Sequence, residues 1–185
     1  MALLHTPPPE LGALCPDFSL PAVFGAKTFS LKSFEKSDVL VVMFICNHCP
    51  YVMAVEDRII ELARVYRTKG VSFVGICSND AADYPDDSPE NLGKRAKLKG
   101  YTFPYLHDES QEVAKAFGAV CTPDFFIYDQ NRKLAYRGRL DDSWKDAQLV
   151  KSQDLSLALE NILEKESVSH QQSSMGCSIK WKKSR

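Results

Sequence analysis

Two cysteines three positions apart with a histidine between them, Cys46-Asn47-His48-Cys49, are the residues in this chain best suited to chemistry. Thiols at that spacing can close a disulfide with each other or ligate a metal, and in either case the thiolate is the working form. The flanking residues say where the pair sits. Val39 to Ile45 is almost wholly apolar and rich in β-branched side chains, the pattern of a strand buried on both faces of a parallel sheet. Val52, Val55, Ile59, Leu62 and Tyr66 recur at spacings of three and four, which puts them on one face of a helix. Pro50 suits the first turn of that helix, where no N–H is required of it. The cysteines therefore lie where a buried strand ends and a helix begins. Unpaired N–H groups and the positive end of the helix dipole favour negative charge there. A Cys-x-x-Cys that closes a strand and opens a helix points to thiol redox chemistry rather than to a structural metal site.

The chain has 185 residues, enough for one domain with a sizeable core. A net charge of −1 gives no reason to expect nucleic acid or an anionic membrane as a partner. Six cysteines are too sparse for a small scaffold built from disulfides. No apolar run approaches the roughly 20 residues that span a bilayer. Met1 to Leu14 has no basic start followed by an apolar block, so no signal peptide is expected and the expected compartment is reducing and cytoplasmic.

Three regions are predicted. Residues 1–12, with Pro7-Pro8-Pro9, read as a mobile arm. Residues 13–166 form the folded domain, and residues 167–185 a polar tail. The domain opens with a β-hairpin from Asp17–Leu20 and Lys27–Leu31, followed by a short helix near Leu31 to Phe34. After the buried strand and long helix, Val71 to Cys77 is a second buried strand. Asn79 to Pro89, with Asp80, Asp83, Asp86 and Asp87, reads as a solvated acidic loop. Ser88-Pro89 starts a helix that runs to Lys99, with Ser88 as N-cap and a wet face of Lys94, Arg95, Lys97 and Lys99. A short strand over Phe103 to Leu106, a short helix over Gln111 to Phe117 and a hairpin from Asp124–Tyr128 and Lys133–Gly138 follow. Ser152 to Lys165 closes the domain as a helix. Right-handed crossovers between the parallel strands give an α/β fold, a central mixed sheet with helices on both faces.

Cys46-x-x-Cys49 at a strand–helix junction, with Thr122-Pro123 just before a hairpin strand, resembles the thioredoxin-like fold. That resemblance implies a cis-Pro123 facing the cysteines, with the Thr122 backbone presented to an extended peptide or thiol ligand. It also implies a βα insertion before the cis-proline. Leu14-Cys15-Pro16-Asp17-Phe18-Ser19-Leu20, with Gly25 and Leu31, looks like the opening of the peroxiredoxin-like branch of the superfamily. Four further stretches resemble redoxin-domain proteins of that superfamily: Cys-Asn-His-Cys-Pro-Tyr-Val from Cys46, Tyr84–Glu90, Cys121–Phe126 and Gly176–Trp181. The peroxidatic pattern Pro-x-x-x-Thr-x-x-Cys is absent, since Val39 and Met43, or Val42 and Cys46, stand in its places.

On this reading Cys46 attacks, Cys49 resolves, and a protonated His48 stabilises the neighbouring thiolate. A rival alignment treats Cys49-Pro50-Tyr51-Val52 as a glutaredoxin-type Cys-Pro-Tyr-Cys with Val52 in the second cysteine's place. It makes Cys49 the attacker and Cys46 the resolving thiol. Cys121 is either an additional resolving thiol or a small buried hydrophobe. Cys177, in the tail, is either a second resolving thiol or an exposed bystander, and Cys15 and Cys77 are packing residues. The expected activity is thiol–disulfide oxidoreduction on a protein or small-molecule disulfide, recharged by a thiol reductant of the thioredoxin or glutathione kind, with no cofactor. The alternatives are a thiol peroxidase, or a metal-binding or copper-delivery protein using Cys46, Cys49 and His48. His107, expected at the surface, is a further ligand candidate for the last of these.

Overall fold

The computed structural model describes residues 3–183. In chain order the elements are β1 (Leu3–His5), β2 (Ser19–Pro21), β3 (Thr28–Ser30), β4 (Val39–Phe44), α1 (Pro50–Tyr66), β5 (Val71–Cys77), α2 (Pro89–Lys99), β6 (Tyr105–His107), α3 (Glu112–Phe117), β7 (Cys121–Thr122), β8 (Asp124–Tyr128), β9 (Leu134–Gly138), α4 (Asp154–Leu163) and β10 (Met175–Ser178). Five of the strands form a mixed sheet in the order β6-β5-β4-β8-β9. Its central strand β4 runs parallel to β5 and antiparallel to β8.

All six residues of β4 are buried, and successive side chains serve opposite faces. Val39, Val41 and Met43 pack with Val52, Val55 and Ile59 of α1 and with Leu155 and Leu159 of α4. Leu40, Val42 and Phe44 pack with Phe18 and Leu20 near the β2–β3 hairpin, and with Ala114 and Phe117 of α3. A strand covered on both faces needs no polar alternation, which is why the run reads as continuously apolar. The hairpin forms with Leu20 opposite Phe29, and a 3-10 turn follows over Leu31–Phe34. Ser88 caps α2, its Oγ accepting the Asn91 N–H at 3.4 Å. The strand expected at Phe103 to Leu106 is found at Tyr105–His107 instead, because Pro104 has no N–H to give a ladder.

Two surface expectations are corrected. Arg95 does not belong to a wet face. It makes two 2.7 Å hydrogen bonds to Glu56 of α1, which is 1% exposed and also accepts from Tyr101 Oη at 2.7 Å. A carboxylate that deep requires a counter-charge, and α2 supplies it. The N-terminal arm and C-terminal tail are not loose either. β1 and β7 flank β10 in a separate three-stranded sheet, with Leu3 opposite Cys177 and Cys177 opposite Thr122. Backbone groups orphaned at the edge of β7 are satisfied by the tail, so the two chain ends lock together. Met1, Ala2, Ser184 and Arg185, parts of the expected arm and tail, lie outside the described residues. No described helix is long and apolar enough to cross a membrane.

Candidate active site

The carboxyl end of β4 delivers Cys46, and α1 begins one residue after Cys49, with Pro50 in its first turn. Cys49 is the N-cap residue, and its carbonyl accepts the Met53 N–H at 3.0 Å. Thr122-Pro123 is a cis peptide bond, as the resemblance implied. Its threonine meets both sulfurs: Cys46 Sγ lies 3.3 Å from Thr122 Oγ1, and Cys49 Sγ lies 3.1 Å from the Thr122 carbonyl oxygen, to which it donates while it is protonated. Thr122 and Pro123 are thus brought to the cysteine pair although more than 70 residues separate them in sequence.

Both cysteines are buried, Cys46 at 2% exposure and Cys49 at 0%. Their thiols are pushed in opposite directions. Burial raises Cys46 well above the ordinary thiol range, helped by its hydrogen bond with Cys49 and by the nearby Asp87 charge. Cys49 is lowered to about 5, chiefly because the Cys46 thiol hydrogen-bonds to it. Burial opposes this, while the backbone N–H groups of Val52 and Cys177 and the Thr122 side chain add to it. The Val52 N–H faces the sulfur from the first turn of α1 without closing a capping hydrogen bond. The helix start therefore acts on Cys49 rather than on Cys46, because Cys49 is the residue at its cap.

Asp87 is the site residue that sequence reasoning missed. In place of a solvated loop, residues 85–87 form a turn that drives Asp87 to 0% exposure beside the cysteines. Its Oδ1 accepts the Asn47 N–H at 2.7 Å, and its Oδ2 accepts from Asn79 Nδ2 at 2.8 Å and lies 2.5 Å from His48 Nδ1. Burial alone would raise this carboxyl, but hydrogen bonds from His48 and Asn79 hold it below the usual carboxylate range. His48 stacks on Tyr84 with ring centroids 5.1 Å apart, and its Nε2 is buried with no partner among the described residues. The histidine's charge, when it is protonated, is matched by this carboxylate before it reaches a thiolate. The available signal was positional: Asp87 follows the carboxyl end of β5, the edge of an α/β sheet where sites are built.

The other cysteines divide. Cys121 is wholly buried on β7, and burial followed by the Asp124 charge pushes its thiol up. Among the described residues no hydrogen bond joins it to Cys46 or Cys49. Alternation along β7 turns it away from the side that Thr122 presents to them. Cys77 and Cys15 are buried in the two cores, and burial raises both thiols, that of Cys15 to about 12. Cys177 is not an exposed bystander: it is 4% exposed and its thiol hydrogen-bonds to Cys49. His107 is buried at the end of β6, where burial lowers it. The three ligand types that do converge are Cys46 Sγ, a His48 ring nitrogen and an Asp87 oxygen, all within 4.8 Å of one another.

The sequence model of the Redoxin family matches residues 10–153. An uncharacterized conserved protein from Geobacillus kaustophilus has a crystal structure similar to this one. The TM-score is 0.95 and the identity 47%, over 100% of this chain and 99% of that one. The thiol-disulfide oxidoreductase ResA of Bacillus thuringiensis subsp. konkukian is 28% identical over 127 residues, 68% of this chain and 67% of its own. A thiol:disulfide interchange protein of the thioredoxin family from Chlorobium tepidum shares the fold, with a TM-score of 0.64 and 21% identity over 82% of this chain and 97% of that one.

Proposed function

The chain belongs to the Redoxin family, and from that premise we propose that it is a thiol–disulfide oxidoreductase working through Cys46 and Cys49. One observation carries the reading: both sulfurs contact Thr122, the residue before cis-Pro123, at 3.3 and 3.1 Å. Cys49 is the attacking thiolate, since it gathers the hydrogen-bond donors while Cys46 faces a carboxylate. It attacks a substrate disulfide, forming one S–S bond as the substrate's own breaks and the far sulfur leaves as a thiolate. Cys46 then gives up its proton and attacks Cys49, releasing the second substrate thiol and leaving a Cys46–Cys49 disulfide. Thr122 contributes its hydroxyl to the pair, and Asp87, through Asn47 and His48, fixes the loop that carries both cysteines. A thiol reductant of the glutathione or thioredoxin kind, as found in a reducing compartment, restores the dithiol.

Dithiothreitol-driven reduction of insulin tests the reading. The wild-type protein accelerates it, Cys49→Ser abolishes the acceleration, and Cys46→Ser slows it, because the Cys46–Cys49 disulfide can no longer form. If both serine variants match the wild type, the assignment is lost.

A second reading rests on the convergence of Cys46, His48 and Asp87. These donors suit a borderline metal such as zinc, with Cys49 adjacent as a fourth ligand. Metal analysis of the protein purified without chelator separates the two. A stoichiometric ion lost in Cys46→Ser and Asp87→Asn supports the metal reading.

A further inference from the structure

The C-terminal strand occupies the edge of the site that a substrate would use. Thr122 offers its backbone at the end of β7, and β10 pairs with that edge, placing Cys177 directly opposite Thr122. Gly176 lies so close that a Cβ on it would stand 2.0 Å from the Thr122 carbonyl oxygen and 3.1 Å from the nitrogen of Pro123. The Cys177 N–H is directed at Cys49 Sγ, and the Cys177 thiol hydrogen-bonds to the same sulfur. An extended segment therefore lies along the cis-proline loop with a cysteine sulfur against the attacking thiol, which is the geometry of a thiol substrate that is part of the chain. The strand is firmly seated. Leu3–His5 pairs along its other side, the Ile179 N–H donates to the Val120 carbonyl at 3.0 Å, and the Lys180 N–H donates to Asn79 Oδ1 at 2.8 Å. That last bond joins the tail to Asn79, which itself holds Asp87.

We propose that Cys177 is a third redox thiol of this site, a tethered resolving cysteine that forms a disulfide with Cys49 from the C-terminal strand. The inference rests on the reading of Cys49 as the attacking thiol. After Cys49 has attacked a disulfide substrate, it is joined to the substrate's near sulfur. Cys177, losing its proton to solvent, attacks Cys49 Sγ. The Cys49–Cys177 bond forms as the mixed disulfide breaks, and the near sulfur leaves as a thiolate and takes up a proton. Two electrons have then passed from two protein thiols to the substrate disulfide. Cys46 can displace Cys177 from Cys49 by the same exchange, so the strand returns to its place when the Cys46–Cys49 bond forms.

Oxidised glutathione is the probe. Cys46→Ser protein is incubated with it, quenched in acid and digested, and its disulfides are mapped by mass spectrometry. Cys46→Ala serves as the second variant in case the serine disturbs packing. The expected result is a peptide pair linked through Cys49 and Cys177, with little glutathione retained, and at least a tenfold increase in glutathione retained on Cys49 when Cys177→Ser is added. A glutathione adduct that persists on Cys49 with Cys177 still a thiol overturns the inference. If the wild-type protein meanwhile forms the Cys46–Cys49 disulfide, the proposed oxidoreductase activity survives that result. Wild-type protein that takes neither glutathione nor an internal disulfide overturns both.

Discussion

His48 Nδ1 lies 2.5 Å from the carboxylate of Asp87, and that carboxylate is sealed from solvent beside Cys46. The nearest charge to Cys46 in this cluster is therefore negative. The histidine between the cysteines completes the carboxylate's hydrogen-bond set instead of acting on the sulfur alone.

Replacing Asp87→Asn removes that charge and keeps the side chain's shape. The Cys46 thiol should then ionise more easily. The pH midpoint of mixed-disulfide resolution, read as release of the second substrate thiol, should move down. The folded Asp87 carboxyl is held below its ordinary value. Its contribution to stability is thus present at neutral pH and lost as pH falls through its folded pKa. The stability cost of Asp87→Asn should shrink in acid, measured by urea unfolding at neutral and acidic pH. An unchanged resolution midpoint contradicts the role assigned to Asp87.

Cys49 should titrate at about 5, seen as thiolate absorbance that is missing in Cys49→Ser. Its folded value lies below the ordinary thiol value of about 9, so ionisation favours the folded state. The stability difference between wild type and Cys49→Ser should grow as pH rises from about 5 to about 9. Cys46→Ala removes the leading hydrogen bond to Cys49 and should move the thiolate transition upward. A transition that stays in place shows that the helix start and the Cys177 N–H suffice.

Gly176→Ala places a methyl group against the Thr122 backbone, 2.0 Å from its oxygen, where neither side can give way. Overpacking of this kind costs about 1–3 kcal/mol. If the cost falls on the seated strand, the open population rises about fivefold to somewhat over a hundredfold, at 1.4 kcal/mol per tenfold. Alkylation of Cys49 by iodoacetamide should accelerate to match. An unaltered rate shows that reagents reach Cys49 by another route.

Arg137 bonds Asp124, the first residue of β8, at 2.8 Å, and donates to the Gly118 carbonyl at 2.7 Å. Its guanidinium also lies 4.6 Å from the centre of the Phe126 ring. Burial raises Asp124 to about 6 even with this partner pulling the other way. Arg137→Met should cost about 3 kcal/mol at pH 8, because a buried carboxylate is left without its counter-charge. Below pH 6 the carboxyl takes up a proton and needs none, so the cost should fall. Urea unfolding of both proteins at pH 5 and pH 8 gives the comparison, and equal costs refute the electrostatic account.

The features legible in the sequence were those carried by neighbours in the chain. The apolar run Val39–Ile45 could only be a strand covered on both sides, Pro50 could only open a helix, and the two cysteines had to fall between them. Thr122-Pro123 was legible through its resemblance to known thioredoxin-like chains. The turn that buries Asp87 was not, because four aspartates in eleven residues look solvated until one finds donors. Nor was the pairing of Arg95 with Glu56 legible, since that partner lies on a different helix, and Arg95 read instead as part of a wet face.

Sequence alone determined that a cysteine pair would stand where a buried strand gives way to a helix, since hydrophobic spacing and the constraints of proline act over a few residues. Only the tertiary structure decided which sulfur gathers the hydrogen-bond donors, which carboxylate lies beside the other, and that β10 pairs along Thr122 with Cys177 against Cys49. Those outcomes depend on dielectric burial and on hydrogen bonds between residues 39, 73 and 76 positions apart, and no local pattern encodes such partners.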